Sequence, residues 1–325
     1  MSILYTNKEI IDFSLIEEFS RNNIKYSRHI YKNQNLNDLE VLIEINGGKI
    51  SIHKHKINKS NEWRLFSTLN LIQETINFYN LTLNLFCIIN LNDGCPNDKV
   101  TRLTTVGRHK DSNHIGIPDS LSWQMICNNS YKNILENDIA FEDKKNKIIF
   151  RGSDTGKLRD DLSNQRLKFC HDNYDNYFVD AKVTNFCCED SLLNELQIQK
   201  EKILSDRVSP SEQLKNKYLL YIYGHSVSTD RIIWNLASNS LVVQIEPKYE
   251  EYDYIWYNKF ILDKGILPSI QEKDFNNNFN KFLQSNNIDE INSKQKAFGK
   301  LFLEKNIYLE YTKEVLIKYN EIYNL

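Results

Sequence analysis

The sequence predicts an α/β protein whose second half is doubly wound, and three observations carry that prediction. Two stretches, residues 147–170 and 217–237, each read as a buried strand, a polar turn and a helix. A further apolar strand, Leu241-Val-Val-Gln-Ile245, follows the second of them. Strands that alternate with helices in this way pair in parallel, with right-handed crossovers. The length of 325 residues accommodates two domains of ordinary size. The charged run Glu142-Asp-Lys-Lys-Asn-Lys147 reads as a surface linker, which puts a boundary near residue 140.

Composition narrows the function classes. An apolar fraction of 41% with 12% aromatic residues suffices for real cores. A net charge of −2 gives no bulk attraction to nucleic acid or to an anionic membrane, and no basic-aromatic stripe is present. The six cysteines, at 87, 95, 127, 170, 187 and 188, have no framework spacing and no CxxC pair. Reduced, mostly buried thiols are the expectation. The first residues lack a basic flank and apolar signal core, and no apolar run approaches the ~18 residues of a membrane span. The sequence therefore reads as a cytoplasmic protein with no membrane span.

Along the chain, residues 9–19 read as a helix. Val41, Ile43, Ile45, Ile50 and Ile52 alternate around Asn46-Gly-Gly-Lys49, a hairpin signal. His53 and His55 share one face of the second strand, but with lysines beside them and no acidic or Cys partner nearby they read as a solvated strand end. Residues 63–79 form an amphipathic helix, and residues 81–90 a strand ending in Asn92-Asp-Gly-Cys-Pro96. Asp93 is a lone carboxylate directly beyond that strand; it is a candidate base, although the composition alone favours an ordinary turn. Residues 97–115 are polar and read as a solvated loop, and Ile117-Pro-Asp119 returns the chain to order. Residues 177–179 are a short strand and 191–205 a helix. Residues 289–323 are strongly helical, with Phe298, Leu301, Phe302, Ile307 and Leu309 available for one packed face.

The chemistry gathers at two turns. Ile148, Ile149 and Phe150 lead into Arg151-Gly-Ser-Asp-Thr-Gly156, and Arg159 follows. Gly152 admits close backbone approach, and Arg151 and Arg159 offer planar donors to phosphate oxygens. Gly152 and Gly156 are one residue too close for a P-loop, and Leu158 follows the lysine. The second turn, Gly224-His-Ser-Val-Ser-Thr-Asp-Arg231, repeats the arrangement with Ser226, Ser228, Thr229 and Arg231 ahead of a helix. Helix N-termini beyond the carboxyl edge of a parallel sheet bind anions. Either turn alone reads as helix capping; together they point to a pyrophosphate. Residues 246–257 are acidic and aromatic, suited to a base or sugar, or equally to a packed helix. Glu251 and Asp253 do not form the Asp-x-Asp that holds a metal-nucleotide, and no metal-ligand cluster is visible.

These residues resemble a known family. Phe150-Arg-Gly-Ser-x-Thr-x-x-x-Arg159 is similar to the Trp/Phe-Arg-Gly-Ser/Ala…Arg signature of glycosyltransferase family 90, the group that includes protein O-glucosyltransferases. Lys217-Tyr-Leu-Leu-Tyr-Ile-Tyr-Gly224…Arg231…Ala-Ser-Asn-Ser-Leu-Val-Val243 resembles its second motif, Pro247-Lys-Tyr-Glu-Glu-Tyr252 the Tyr-Tyr-Glu stretch, and Ile117-Pro-Asp119 an element ahead of the first signature. The likeness leans toward the lipopolysaccharide-modifying branch and viral relatives, and covers about residues 117–257. It departs in Phe150 for the commoner Trp, in a Gly224-to-Arg231 interval one residue long, and in a degenerate Gly265-Ile-Leu-Pro-Ser269.

The resemblance implies a GT-B architecture: residues 1–140 as an acceptor-side α/β domain, 141–288 as a Rossmann-like UDP-sugar domain, and 289–325 as a helix crossing back onto the first. It implies an inverting transfer of glucose or xylose from a UDP-sugar to a glycan, glycolipid or protein hydroxyl, with no cofactor and no metal. Asp93 takes the position of the base. Arg151, Gly152, Ser153, Arg159, Gly224, Ser226, Ser228, Thr229, Arg231 and Glu250 take the donor site. The competing class is a protein of the same fold that binds a nucleotide sugar or glycan without turnover.

Overall fold

The computed structural model describes residues 36–92, 100–105, 108–109, 114–155, 164–187, 200–224, 229–247, 252–254, 256–257, 261 and 264–324. The strands are β1 (Glu40–Asn46), β2 (Lys49–His55), β3 (Asn84–Asn90), β4 (Arg102–Thr104), β5 (Arg108–His109), β6 (His114–Gly116), β7 (Lys145–Ser153), β8 (Val179–Asn185), β9 (Asn216–Tyr221), β10 (Leu241–Ile245), β11 (Tyr252–Tyr254) and β12 (Ser269–Ile270). The helices are α1 (Glu62–Tyr79), α2 (Ser120–Cys127), α3 (Ser130–Leu135), α4 (Gln165–Asp172), α5 (Lys200–Ile203), α6 (Pro210–Gln213), α7 (Thr229–Ala237), α8 (Phe275–Ser285), α9 (Ile288–Leu301) and α10 (Lys305–Asn324). The chain is mixed α/β with two parallel-rich sheets.

The residues divide into two compact units. Among the described residues, one takes Ser130–Glu250 and Leu262–Leu303; the other takes residues 36–129 together with Glu251–Ile261 and Glu304–Leu325. The division falls at residue 130, and the charged run 142–147 is packed structure. Lys144 is buried, paired with Asp138 and bonded to the Leu214 carbonyl, and β7 starts at the next residue. Residues 289–323 form two helices, and the division between units falls between them: α9 belongs with the second sheet and α10 with the first.

In the N-terminal unit the sheet order is β2-β1-β3-β4-β6, antiparallel around β1 and parallel from β3 onward. The β1–β2 hairpin turns where predicted, with Gly47 at φ +57° and Gly48 at φ +82°, the two left-handed positions a tight hairpin needs. Helix α1 buries Leu65, Thr68, Leu71, Ile72, Thr75 and Ile76, a three-and-four spacing that makes one apolar stripe. Left-handed Asn80 ends it. Helix α10 packs on α1, β3 and α2, and donates from the Tyr311 hydroxyl to the Gly116 carbonyl at 2.9 Å.

One prediction fails in this unit, and two open details are settled. The polar run 97–115 contains parallel strands, not only a loop: Arg102 on β4 is fully buried, with its Nε 2.5 Å from Glu40 on β1. His114 is buried on β6. A buried charge needs a partner, and Glu40, also held by the Asn37 backbone, supplies it. His53 is exposed at a solvated strand end, as read from the sequence, but it does have an acidic neighbour, its Nε2 lying 2.6 Å from Glu44. Trp256 is buried against Tyr308 and Tyr311 of α10, and buried Tyr257 packs edge-on against Trp256, so of the two open readings these rings take the packed one.

The C-terminal unit has an all-parallel sheet, β12-β10-β9-β7-β8, as predicted for doubly wound repeats. Ile148, Phe150, Tyr218, Leu220, Leu241, Val243 and Ile245 build its core with Phe169, Phe275 and Phe279 from α4 and α8. Helix α9 crosses α7 so closely that a Cβ on Gly299 would stand 2.2 Å from the Ala237 nitrogen. The Ser238-Asn-Ser240 turn lies at the amino end of β10. There it locks the fold: Ser240 Oγ donates to the Asn216 carbonyl at 2.8 Å, and the Asn239 nitrogen to Asp138 at 2.6 Å.

Candidate functional site

Strand β7 is flanked by β8, which follows it in sequence, and by β9, which comes after β8. The chain therefore reverses its direction of winding at β7, and the crevice between the carboxyl ends of β7 and β9 is a topological switch point. Both predicted turns leave the sheet there. The segment after β7 runs through Asp154 and Thr155, and that after β9 through Ile222, Tyr223 and Gly224. Helices α4 and α7 then start on this side of the sheet, α4 capped by the Asn164 side chain on the Leu167 nitrogen at 3.1 Å.

Two guanidinium groups meet in this crevice. Arg166 on α4 is buried. It donates from Nε and Nη2 to the Ile222 carbonyl at 3.1 and 2.9 Å, and from Nη1 to the Ser153 carbonyl at 2.9 Å and Thr155 Oγ1 at 2.6 Å. Half-buried Arg231, in the first turn of α7, donates from Nη1 to the Arg151 carbonyl. Both cations lie over the Phe150 ring, at 5.7 and 5.9 Å from its centroid. Among the described residues neither forms an ion pair with a carboxylate. Burial first, and then the neighbouring Arg231 charge, pull Arg166 down to about 10. Burial also lowers Arg231, against the attraction of Asp230.

The packing leaves no room for a side chain at Gly224 and little at Gly152. A Cβ on Gly224 would stand 2.7 Å from Thr155 Oγ1 and 2.8 Å from Arg166 Nη2. One on Gly152 would stand 3.0 Å from the Phe150 ring and 3.6 Å from each arginine's Nη1. The arrangement gathers two guanidinium charges that lack a carboxylate ion pair among the described residues, which suits an anion with more than one charge.

Residues 122–325, more than half of the chain, match the family model of Glycosyl transferase family 90. The chain belongs to that family. Glycosyl transferase family 90 transfers sugars, so a sugar donor and an acceptor are its substrates. The chain is also 26% identical over 159 residues to "Uncharacterized protein 035R" of Invertebrate iridescent virus 3. That alignment covers 47% of this chain and only 14% of the viral protein.

The family signature residues are placed as follows. Gly152, Ser153, Gly224 and Arg231 come together at the switch point. Arg151 is committed elsewhere: Nη2 holds both Asp180 oxygens at 2.8 Å, and Nη1 holds the Phe150 and Asp180 carbonyls. All four terminal N–H groups are thereby taken, so in this arrangement Arg151 shapes the β7–β8 edge and offers none of them to a phosphate. Thr229 opens α7. Asp93, Arg159, Ser226, Ser228 and Glu250 lie outside the described residues. Sequence reasoning missed Arg166. The available signal was a basic residue two positions after the capping Asn164, in the first helix after a signature strand.

No group of three or more His, Cys, Asp or Glu side chains is placed to hold a metal among the described residues. No helix among them is long and apolar enough to cross a membrane.

Proposed function

We propose that this chain transfers a hexose or pentose, glucose or xylose, from a UDP-sugar to a hydroxyl of a glycan, glycolipid or protein acceptor, with inversion and without a metal. The observation that carries the reading is the pair of guanidinium groups, Arg166 and Arg231, at the switch point of the parallel sheet, neither of which forms a carboxylate ion pair among the described residues. A diphosphate leaving group needs stabilisation of the charge that develops as its bond to the anomeric carbon breaks. Arg231, with four of its five N–H groups unspent among the described residues, is placed to supply it. Gly224, Ser153, Ser226, Ser228 and Thr229 present backbone and hydroxyl donors, Arg159 adds charge, and Glu250 holds sugar hydroxyls. Asp93 takes the acceptor proton as the hydroxyl oxygen attacks. A GT-B arrangement and a cytoplasmic location belong to the same reading.

One observation favours a second reading, a nucleotide-sugar-binding protein without turnover: of the three arginines expected at the diphosphate, Arg151 is tied to Asp180. A thermal-shift screen of nucleotides tests both readings at the level of binding. UDP and UDP-sugars raise the melting temperature, since a ligand at 100 times its Kd adds about 2.7 kcal/mol to stability. UDP release from the stabilising donor, measured in EDTA over an acceptor panel, then separates enzyme from binder. A protein that no uridine nucleotide stabilises overturns the proposal.

A further inference from the structure

The β7–β9 ladder stops short of the site. Its last pair is Ile149 with Leu219, although β7 continues to Ser153 and β9 to Tyr221. On its other side β7 stays paired with β8 to its end, where Ser153 meets Asn185. The strands thus part at the switch point, and side chains replace the missing ladder bonds. Arg166 spans the gap, holding Ser153 and Thr155 on one bank and Ile222 on the other. Arg231 reaches from the β9 side to the Arg151 carbonyl on β7.

We infer that Arg166 is a positioning residue whose guanidinium ties the two strand ends and fixes the width of the crevice that receives the donor diphosphate. The inference rests on reading that crevice as the donor site. A guanidinium has five N–H groups, and here four are spent on protein oxygens, leaving one on Nη2. A group meant chiefly to grip a ligand keeps most of its donors unspent, as Arg231 does among the described residues. The absence of a side chain on Gly224 leaves room for the tie. A lysine at 166 keeps the charge but has no fork, so it cannot hold both banks.

Hydrogen exchange of the ligand-free protein, with UDP affinity by calorimetry, tests this on Arg166→Lys. Exchange is expected to quicken in peptides covering 150–155 and 219–224 but not in β8, and UDP affinity to fall by about tenfold or more, the scale of one charge-assisted hydrogen bond. Unchanged exchange overturns the tie. Quickened exchange with wild-type UDP affinity shows a merely structural bond and overturns the positioning role. If wild-type protein binds no UDP while exchange still responds, the donor reading fails and the tie stands. If Arg166→Lys does not fold, Thr155→Val, which removes one acceptor, decides by the same two readouts with smaller changes in the same directions.

Discussion

Arg151 grips Asp180 with both carboxylate oxygens 2.8 Å from one guanidinium nitrogen, pinning β7 to β8. A residue that the signature would assign to phosphate is thereby a brace for the edge on which the site is built. Its own carbonyl is the acceptor for Arg231. Arg151→Ala should therefore cost stability, by about 1–3 kcal/mol, since Asp180 is partly exposed and keeps water as a partner. Urea denaturation measures it. An unchanged midpoint with a large loss of UDP affinity would restore the phosphate role.

Arg231→Met should behave in the opposite way. It removes a cation that has no carboxylate partner among the described residues, so the melting temperature should hold or rise. UDP affinity should drop by about 1.5–3 kcal/mol, as for a hydrogen bond to a charged group. Calorimetry beside thermal melts reads both changes in one preparation.

Asp93→Asn is nearly isosteric, and asparagine is itself a good turn residue. UDP-sugar binding should stay close to wild type while transfer falls by roughly 10²–10⁴-fold, the range for lost acid–base catalysis. Near wild-type UDP release with a working acceptor would return Asp93 to a turn role and direct attention to Asp119 or Glu250.

Gly299→Ala tests the α7–α9 crossing. The added methyl would meet backbone rather than a flexible side chain, with Ala237 N at 2.2 Å and the Leu236 carbonyl carbon at 2.5 Å. The helices must part, at a cost of about 1–3 kcal/mol. Because α7 carries Arg231, UDP affinity should fall with stability. A variant as stable as wild type would show that the crossing is looser than the structure has it.

Alkaline pH should weaken the fold through two buried thiols. Burial raises Cys170 to about 12 and pushes Cys87 higher still, from the 9.0 of a free thiol. The unfolded chain then loses these protons first, so the native state binds more protons and stability declines as pH climbs above about 9. Arg166 acts in the opposite sense, but only above about 10, where its native form starts to deprotonate ahead of its unfolded one. Denaturation midpoints between these two values should fall, and Cys170→Ala should flatten the slope.

What the sequence shows and what it hides follow from distance along the chain. The β1–β2 hairpin and the parallel repeats around 147–170 and 217–245 are local patterns of alternation and turn chemistry, and they were legible. Arg102 was not, because its burial depends on Glu40, 62 residues away. Lys144 looked solvated because its partners are Asp138 and the carbonyl of Leu214, the latter 70 residues on. At the site, Gly152, Gly224 and Arg231 were legible as turn chemistry. The work of Arg166 was not, since it depends on where Ile222, 56 residues later, ends up in space. The bond of Arg151 to Asp180 was not legible either, because strand-end arginines look alike in sequence whatever they face.

The placement of α10 has a consequence for how the protein is made. Helix α10 covers α1, β3 and α2, and the Asn320 side chain accepts from the Asn84 nitrogen at 2.9 Å. During synthesis the strands of the first sheet leave the ribosome long before this helix exists. Nearly all of the second sheet's unit is translated in between, as residues 130–250 and 262–303. The usual vectorial order, in which the amino-terminal domain folds first, cannot complete the first sheet's unit, because α10 follows residues 262–303 in the chain. The later unit can close while the earlier one still exposes the faces of α1 and β3, and those faces wait on the ribosome for a helix encoded more than two hundred codons downstream. A premature stop before that helix would release a chain that carries residues 130–303 of the second sheet's unit but leaves the α1 and β3 faces of the first sheet uncovered.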